Sequence, residues 1–230
     1  MPRETFEREL NQLQTELLVQ GSIVGQAVQE AVEALKRRDQ RAAHRIYAGD
    51  RYINEKRYEI ENNCLALIAT QQPMARDLRL LAAILEINTE LERIGDYAKG
   101  ICRINLKLGS EPLVKPLIDI PRMAELGLDM LHRALSAFVD RDAEIARSIP
   151  LEDDEVDRLY NQVYRDLLDI MIADPSTIDR ANYLLWAAHN LERLADRVTN
   201  ICERTVFVAT GEMVELDQTD DEMEWQESLL

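Results

Sequence analysis

Residues 90–102, Glu90-Leu-Glu-Arg-Ile-Gly-Asp-Tyr-Ala-Lys-Gly-Ile-Cys102, return one hundred positions later as Asn190-Leu-Glu-Arg-Leu-Ala-Asp-Arg-Val-Thr-Asn-Ile-Cys202. The likeness continues upstream. Arg38-Asp39 aligns with Arg141-Asp142, Asp50 with Asp153, Ile53-Asn54 with Val156-Asp157, and Gln72-Pro73 with Asp174-Pro175. Ala27, Val28, Ala31, Val32 and Leu35 find apolar or small counterparts at Met130, Leu131, Ala134, Leu135 and Phe138. A chain that repeats itself over this length is expected to fold as two similar units on a shared core. The units are placed at 1–110 and 117–211, followed by an acidic tail at 212–230.

Helices are the expected building blocks. The chain holds only 8 Gly and 7 Pro, 5% of its residues are aromatic, and Leu, Ala, Ile, Glu and Arg are abundant. Apolar residues at Leu10, Leu13, Leu17, Val24, Val28, Ala31 and Leu35 follow a helical period and predict a first helix ending near Lys36-Arg-Arg-Asp39. A short helical piece at 41–47 follows. Asp50 is placed to open a second helix through Leu67, broken at Gln72-Pro73 because proline disfavours helical geometry in the residue before it. A third helix runs from Met74 to Leu108. Gly109-Ser-Glu-Pro112 and Lys115-Pro116 mark the linker, after which the order recurs: 122–138, a short piece after Asp142, a helix from Pro150 to Met171, and a long helix from 176 to 209. The fold class is therefore all-α, two tandem three-helix bundles.

Composition narrows the function. A net charge of −16 repels nucleic acid, so none is expected as a partner. There is no apolar run of 18 residues and no secretory signal pattern at the start, so a cytoplasmic location is expected, with contact to a membrane only indirectly through partners. Three scattered cysteines, Cys64, Cys102 and Cys202, read as core residues. Acidic residues without Lys or Arg after Gly211 predict a solvated, frayed tail, with Met223, Trp225, Leu229 and Leu230 able to dock it locally. No Gly-rich phosphate loop, nucleophile elbow or Ser-His-Asp arrangement is visible, so no enzyme activity is expected.

The chemistry-bearing pattern is Glu-x-x-x-Asp. Glu92 and Asp96, like Glu192 and Asp196, lie four residues apart, which on a helix makes them neighbours about 5–6 Å apart at Cβ. On the wheel, Leu91, Ile94, Gly95, Ala98, Ile101 and Cys102 occupy one side and the carboxylates another, so the pairs should line a surface or groove. Asp50, Asn54 and Glu61 share a stripe of helix two, and Asp153 and Asp157 form its counterpart. If helices two and three are neighbours, these oxygens converge in the donor set that hard or borderline cations take. The same spacing also describes a solvated helix face, or a face where Arg93 and Arg193 pair with the carboxylates. His44, His132 and His189 do not occupy matching positions and read as surface residues.

Gln72-Pro-Met-Ala-Arg-Asp-Leu-Arg-Leu80 followed by Glu90-Leu-Glu-Arg-Ile-Gly-Asp96, with Asn190-Leu-Glu-Arg-Leu-Ala-Asp196 in the second half, closely resembles the PhoU family over residues 5–211. The resemblance implies paired three-helix bundles, a homodimer, and Glu/Asp-x-x-x-Asp sites for metal such as iron or zinc; magnesium and manganese also suit these oxygen donors. By that resemblance Glu92, Asp96, Glu192 and Asp196 are candidate ligands, joined by Asp50, Asn54, Asp153 and Asp157. Asn200 could add an oxygen ligand that Gly100 cannot, which implies a poorer first site. The family connection further implies a negative regulator of the phosphate-starvation response, linking the ATPase subunit of the phosphate ABC transporter to a membrane sensor histidine kinase. The competing readings are a metal-binding adaptor for another transporter and a carboxylate-bridged, metal-dependent hydrolase.

Overall fold

The computed structural model describes residues 2–216. Seven helices follow one another as α1 (Pro2–Arg37), α2 (Gln40–Gln71), α3 (Ala75–Leu108), α4 (Asp119–Asp140), α5 (Ala143–Ser148), α6 (Asp153–Ala173) and α7 (Ile178–Thr210). No strand occurs among the described residues. Helices α1–α3 form one bundle and α4–α7 another. The bundles meet mainly along α3 and α7, with a second contact between α1 and α4.

Both repeats turn their first corner with the same device. Arg38 and Arg141 stand in the left-handed conformation at φ 60° and 55°. The next residue's N–H reaches back five residues, Asp39 to the Ala34 carbonyl and Asp142 to the Ala137 carbonyl, each at 2.9 Å. This is a Schellman closure, built here on arginine rather than glycine at a cost of about 1 kcal/mol. Each aspartate then caps the following helix: Asp39 accepts from the Ala42 N–H, and Asp142 from those of Glu144 and Ile145. The Arg38 guanidinium also donates to the carbonyls of Gly109 and Glu111, tying the linker between repeats to this corner.

The expected break before Asp50 does not exist. With Asp39 already capping, α2 runs without interruption through Ala48-Gly49-Asp50, and Asp50 is buried in its interior rather than opening a helix. The second repeat does break at the equivalent place, because Pro150 lacks an amide hydrogen and begins a 3-10 turn at Pro150–Glu152 between α5 and α6. A like turn at Pro175–Thr177, capped by Asp174, leads into α7.

The apolar arcs read from the sequence face inward. Leu91, Ile94, Gly95, Ala98, Ile101 and Cys102 on α3, and Leu191, Leu194, Ala195, Val198, Ile201 and Cys202 on α7, are all buried. They join Leu17, Val24, Leu35, Ile60, Met123 and Phe138 in one core that passes through both bundles. Burial pushes the three cysteine thiols up to about 12, so they stay protonated and act as small apolar groups. The start of the tail differs from the frayed segment expected. Val214 and Leu216 pack against the core, and the Leu216 N–H donates to Glu203 at 2.9 Å. The expected docking by Met223, Trp225, Leu229 and Leu230 lies outside the described residues.

Two glycines on neighbouring helices sit in opposite surroundings. A Cβ on Gly21 would meet Leu135 Cδ1 of α4 at 2.3 Å, whereas one on Gly49 meets nothing within 4 Å. Gly21→Ala should therefore destabilise the chain by about 1–2 kcal/mol through overpacking of the α1–α4 contact. Gly49→Ala should stabilise it by about 0.5–1 kcal/mol by restricting the unfolded backbone. Urea unfolding of the two variants reads both signs.

Candidate functional site

Helices α3 and α7 pack antiparallel, so the two motifs lie across from each other at the centre of the molecule. Arg197 of α7 reaches Glu90 of α3 at 3.4 Å, both side chains being less than one-sixth exposed. Arg204 binds Glu86 at 2.9 Å, and Arg193 hydrogen-bonds the hydroxyl of Tyr97. Beyond these contacts Asn190 lies so close to Gly100 that a Cβ there would stand 2.8 Å from its amide nitrogen. Each motif thus has an inner side in the seam between repeats. Glu92/Asp96 and Glu192/Asp196 are presented on other sides of the same helices.

In the first repeat Glu92 is half-buried and Asp96 exposed. Burial, then the charge on Asp96, pushes the Glu92 carboxyl above its ordinary value, with Asp50 adding to the effect while Arg57 and Arg93 oppose it. Helix α2 brings Asp50, the one buried carboxylate among the described residues. Its Oδ2 accepts from Lys99 Nζ at 2.5 Å and from the Asn54 amide at 3.1 Å, while Oδ1 has no hydrogen-bond partner. Lys99 also stands 3.8 Å from Asp96 and 5.6 Å from the centre of the Tyr47 ring. The pair borders an open groove of about 320 Å³ between α1, α2 and α3. Glu61 lies about three turns beyond Asp50 along α2.

In the second repeat Glu192 is half-buried, and burial followed by the Asp196 charge raises its carboxyl too, with Asp157 adding to the effect. Its polar neighbours come from the same helix: His189 Nδ1 lies 3.0 Å from Glu192, and the guanidinium groups of Arg193 and Arg197 lie 3.5 and 3.9 Å from Asp196. On α6, Asp153 is half-buried and Asp157 exposed; Asn200 on α7 is half-buried. Helix two therefore contributes a carboxylate to each cluster, but not from aligned positions. It is Asp50 in one repeat and Asp157, the counterpart of Asn54, in the other. Among the described residues, no group of three or more His, Cys, Asp and Glu side chains is arranged to hold a metal ion.

A family model for the PhoU domain matches this chain twice, at residues 17–104 and 120–205. The chain belongs to the PhoU family. It is 36% identical over 218 residues to a phosphate-specific transport system accessory protein PhoU homolog of Clostridium acetobutylicum, covering 94% of this chain and all of that one. It is 39% identical over 210 residues to a homolog of the same description in Caulobacter vibrioides, covering 91% of each chain. The crystal structure of the phosphate transport system regulatory protein PhoU from Streptococcus pneumoniae superposes with a TM-score of 0.84 at 33% identity, covering 91% of this chain and 99% of that one. PhoU membership fits the duplicated bundles, since each family match spans the three main helices of one repeat.

Lys99, His189, Tyr97 and Arg197 were not singled out from the sequence as site residues. The signal was present for two of them: His189 stands three residues before Glu192 and Lys99 three after Asp96, the spacing that puts side chains on one helix face. Tyr97 and Arg197 work across the seam, which only the antiparallel packing of α3 on α7 reveals. Arg93 pairs with Glu90 at 2.9 Å along its own helix, rather than with Glu92 or Asp96.

The seam and the outer face respond differently to substitution. Arg197→Gln should cost about 1 kcal/mol, because Glu90 loses its partner across the seam while keeping Arg93 on its own helix, and Glu90→Gln on that background should recover part of the loss. Chemical denaturation of the two singles and the double reads the coupling. At Glu92 the folded state binds the proton more tightly than the unfolded chain, so its ionisation costs stability as pH rises from the ordinary glutamate range through the raised value. Glu92→Gln should therefore raise the melting temperature by about 1–2 °C at neutral pH and have no effect below about pH 4. A lower melting temperature at neutral pH would show that Glu92 is instead held by favourable partners.

Proposed function

We propose that this chain is a negative regulator of the phosphate-starvation response, coupling the high-affinity phosphate ABC transporter to a membrane sensor histidine kinase. The observation that carries this reading is coverage. The match to a phosphate-specific transport system accessory protein extends over 94% of this chain and the whole of the relative, so both bundles are shared. No helix among the described residues is long and apolar enough to cross a membrane, which is consistent with action in the cytoplasm through membrane-bound partners.

The proposed mechanism uses the chain as a rigid adaptor and homodimer. A continuous core and a seam of ion pairs fix the two repeats relative to one another. The outward faces then present acidic and polar surface to the transporter's ATPase subunit and to the kinase. A phosphate-dependent change in the transporter shifts which complex is populated, provided the chain binds two transporter states with different affinity. No chemical step by the adaptor is required.

Alkaline phosphatase activity in phosphate-rich medium, in cells lacking their own PhoU-family regulator, reads this proposal. Supplying the chain should restore repression to near the level of the intact strain. Persistent derepression with soluble, folded protein, together with no co-purification of the transporter ATPase, would contradict it.

A further inference from the structure

We propose that Lys99 is the resident cation of the first repeat: its ammonium takes the place a metal ion would hold among Asp50, Glu92 and Asp96 and closes that cluster to divalent cations. Family resemblance suggests metal at both motifs, and the first repeat does not fit it. The most buried of its carboxylates is already neutralised at 2.5 Å by a charge on the same helix as Glu92 and Asp96. That charge leans 3.8 Å toward Asp96, and Asn54 supplies a second donor to the same carboxylate oxygen of Asp50. A divalent cation would have to displace the ammonium and leave it beside the ion in a groove that Arg45 also lines, while Arg57 and Arg93 already act on Glu92.

The repeat comparison makes this a property of the first half alone. The residue that corresponds to Lys99 is Thr199, which is buried and uncharged. The second cluster draws its counter-charge instead from Arg193 and Arg197, with His189 beside Glu192. Lys99 itself is held in the charged state, its hydrogen bond to Asp50 pushing the ammonium above its ordinary value against the opposing effect of burial. The one-lysine difference makes two homologous faces unlike: the first carries its cation against the helix-two carboxylate Asp50, whereas the second carries its guanidinium groups against Asp196.

The test gives the first repeat the residue of the second. In the full chain, Lys99→Thr should lower the melting temperature by several degrees in metal-free buffer. Millimolar Mn²⁺ should restore it, and titration calorimetry should show one more Mn²⁺ bound per chain than in the unaltered protein. Lys99→Arg should behave as the unaltered protein. The double variant Asp50→Asn with Lys99→Thr, which removes both charges, should recover stability without Mn²⁺ and take up none of the extra ion. Two results would overturn the proposal: Mn²⁺ binding by the unaltered chain that Asp50→Asn abolishes, or a Lys99→Thr protein with unchanged melting and no added Mn²⁺.

Discussion

The antiparallel packing of α3 on α7 is the constraint from which the rest of the molecule follows. Four contacts are spaced along it, Glu86 with Arg204, Glu90 with Arg197, Tyr97 with Arg193, and Gly100 beside Asn190. Because each residue of the repeated motif has its counterpart on the opposite helix, the two copies brace one another about a central point. Charges at so enclosed a place are stabilising only when paired, and removing one member costs more than the pair itself contributes. The seam therefore sets register, and register sets which side chains remain on the outer faces.

Those outer faces are where the repeats part company. Both keep a half-buried glutamate whose carboxyl is pushed up by burial and by the aspartate four residues on. They differ in what surrounds the carboxylates: a lysine and an asparagine around Asp50 in one, two arginines at Asp196 and a histidine beside Glu192 in the other. Duplication preserved the scaffold and allowed the electrostatics of the two sides to diverge.

Much of this was legible in the sequence, and the reasons are specific. The duplication announced two bundles, and the 3.6-residue period of Leu91, Ile94, Ala98, Ile101 and Cys102 identified the buried arc of α3 before its neighbours were known. Pro150 and Pro175 marked real interruptions because a missing amide hydrogen acts locally. Asp50 misled for the opposite reason: an aspartate after a glycine is a common helix opener, yet here Asp39 had already capped α2, and the Asp50 carboxylate is spoken for by Lys99, forty-nine residues away. Such a long-range partner leaves no trace in local periodicity. The Glu90–Arg197 pair, 107 residues apart, was invisible on the same ground.

If the seam governs the molecule, the two repeats cannot unfold separately. Differential scanning calorimetry of the full chain measures this most directly. A single transition whose calorimetric and van't Hoff enthalpies agree is the predicted result, since one core and one ion-paired seam bind both bundles into a cooperative unit. Two resolved transitions, with amide exchange showing α1–α3 open while α4–α7 stays protected, would contradict it and leave each bundle to position its own face.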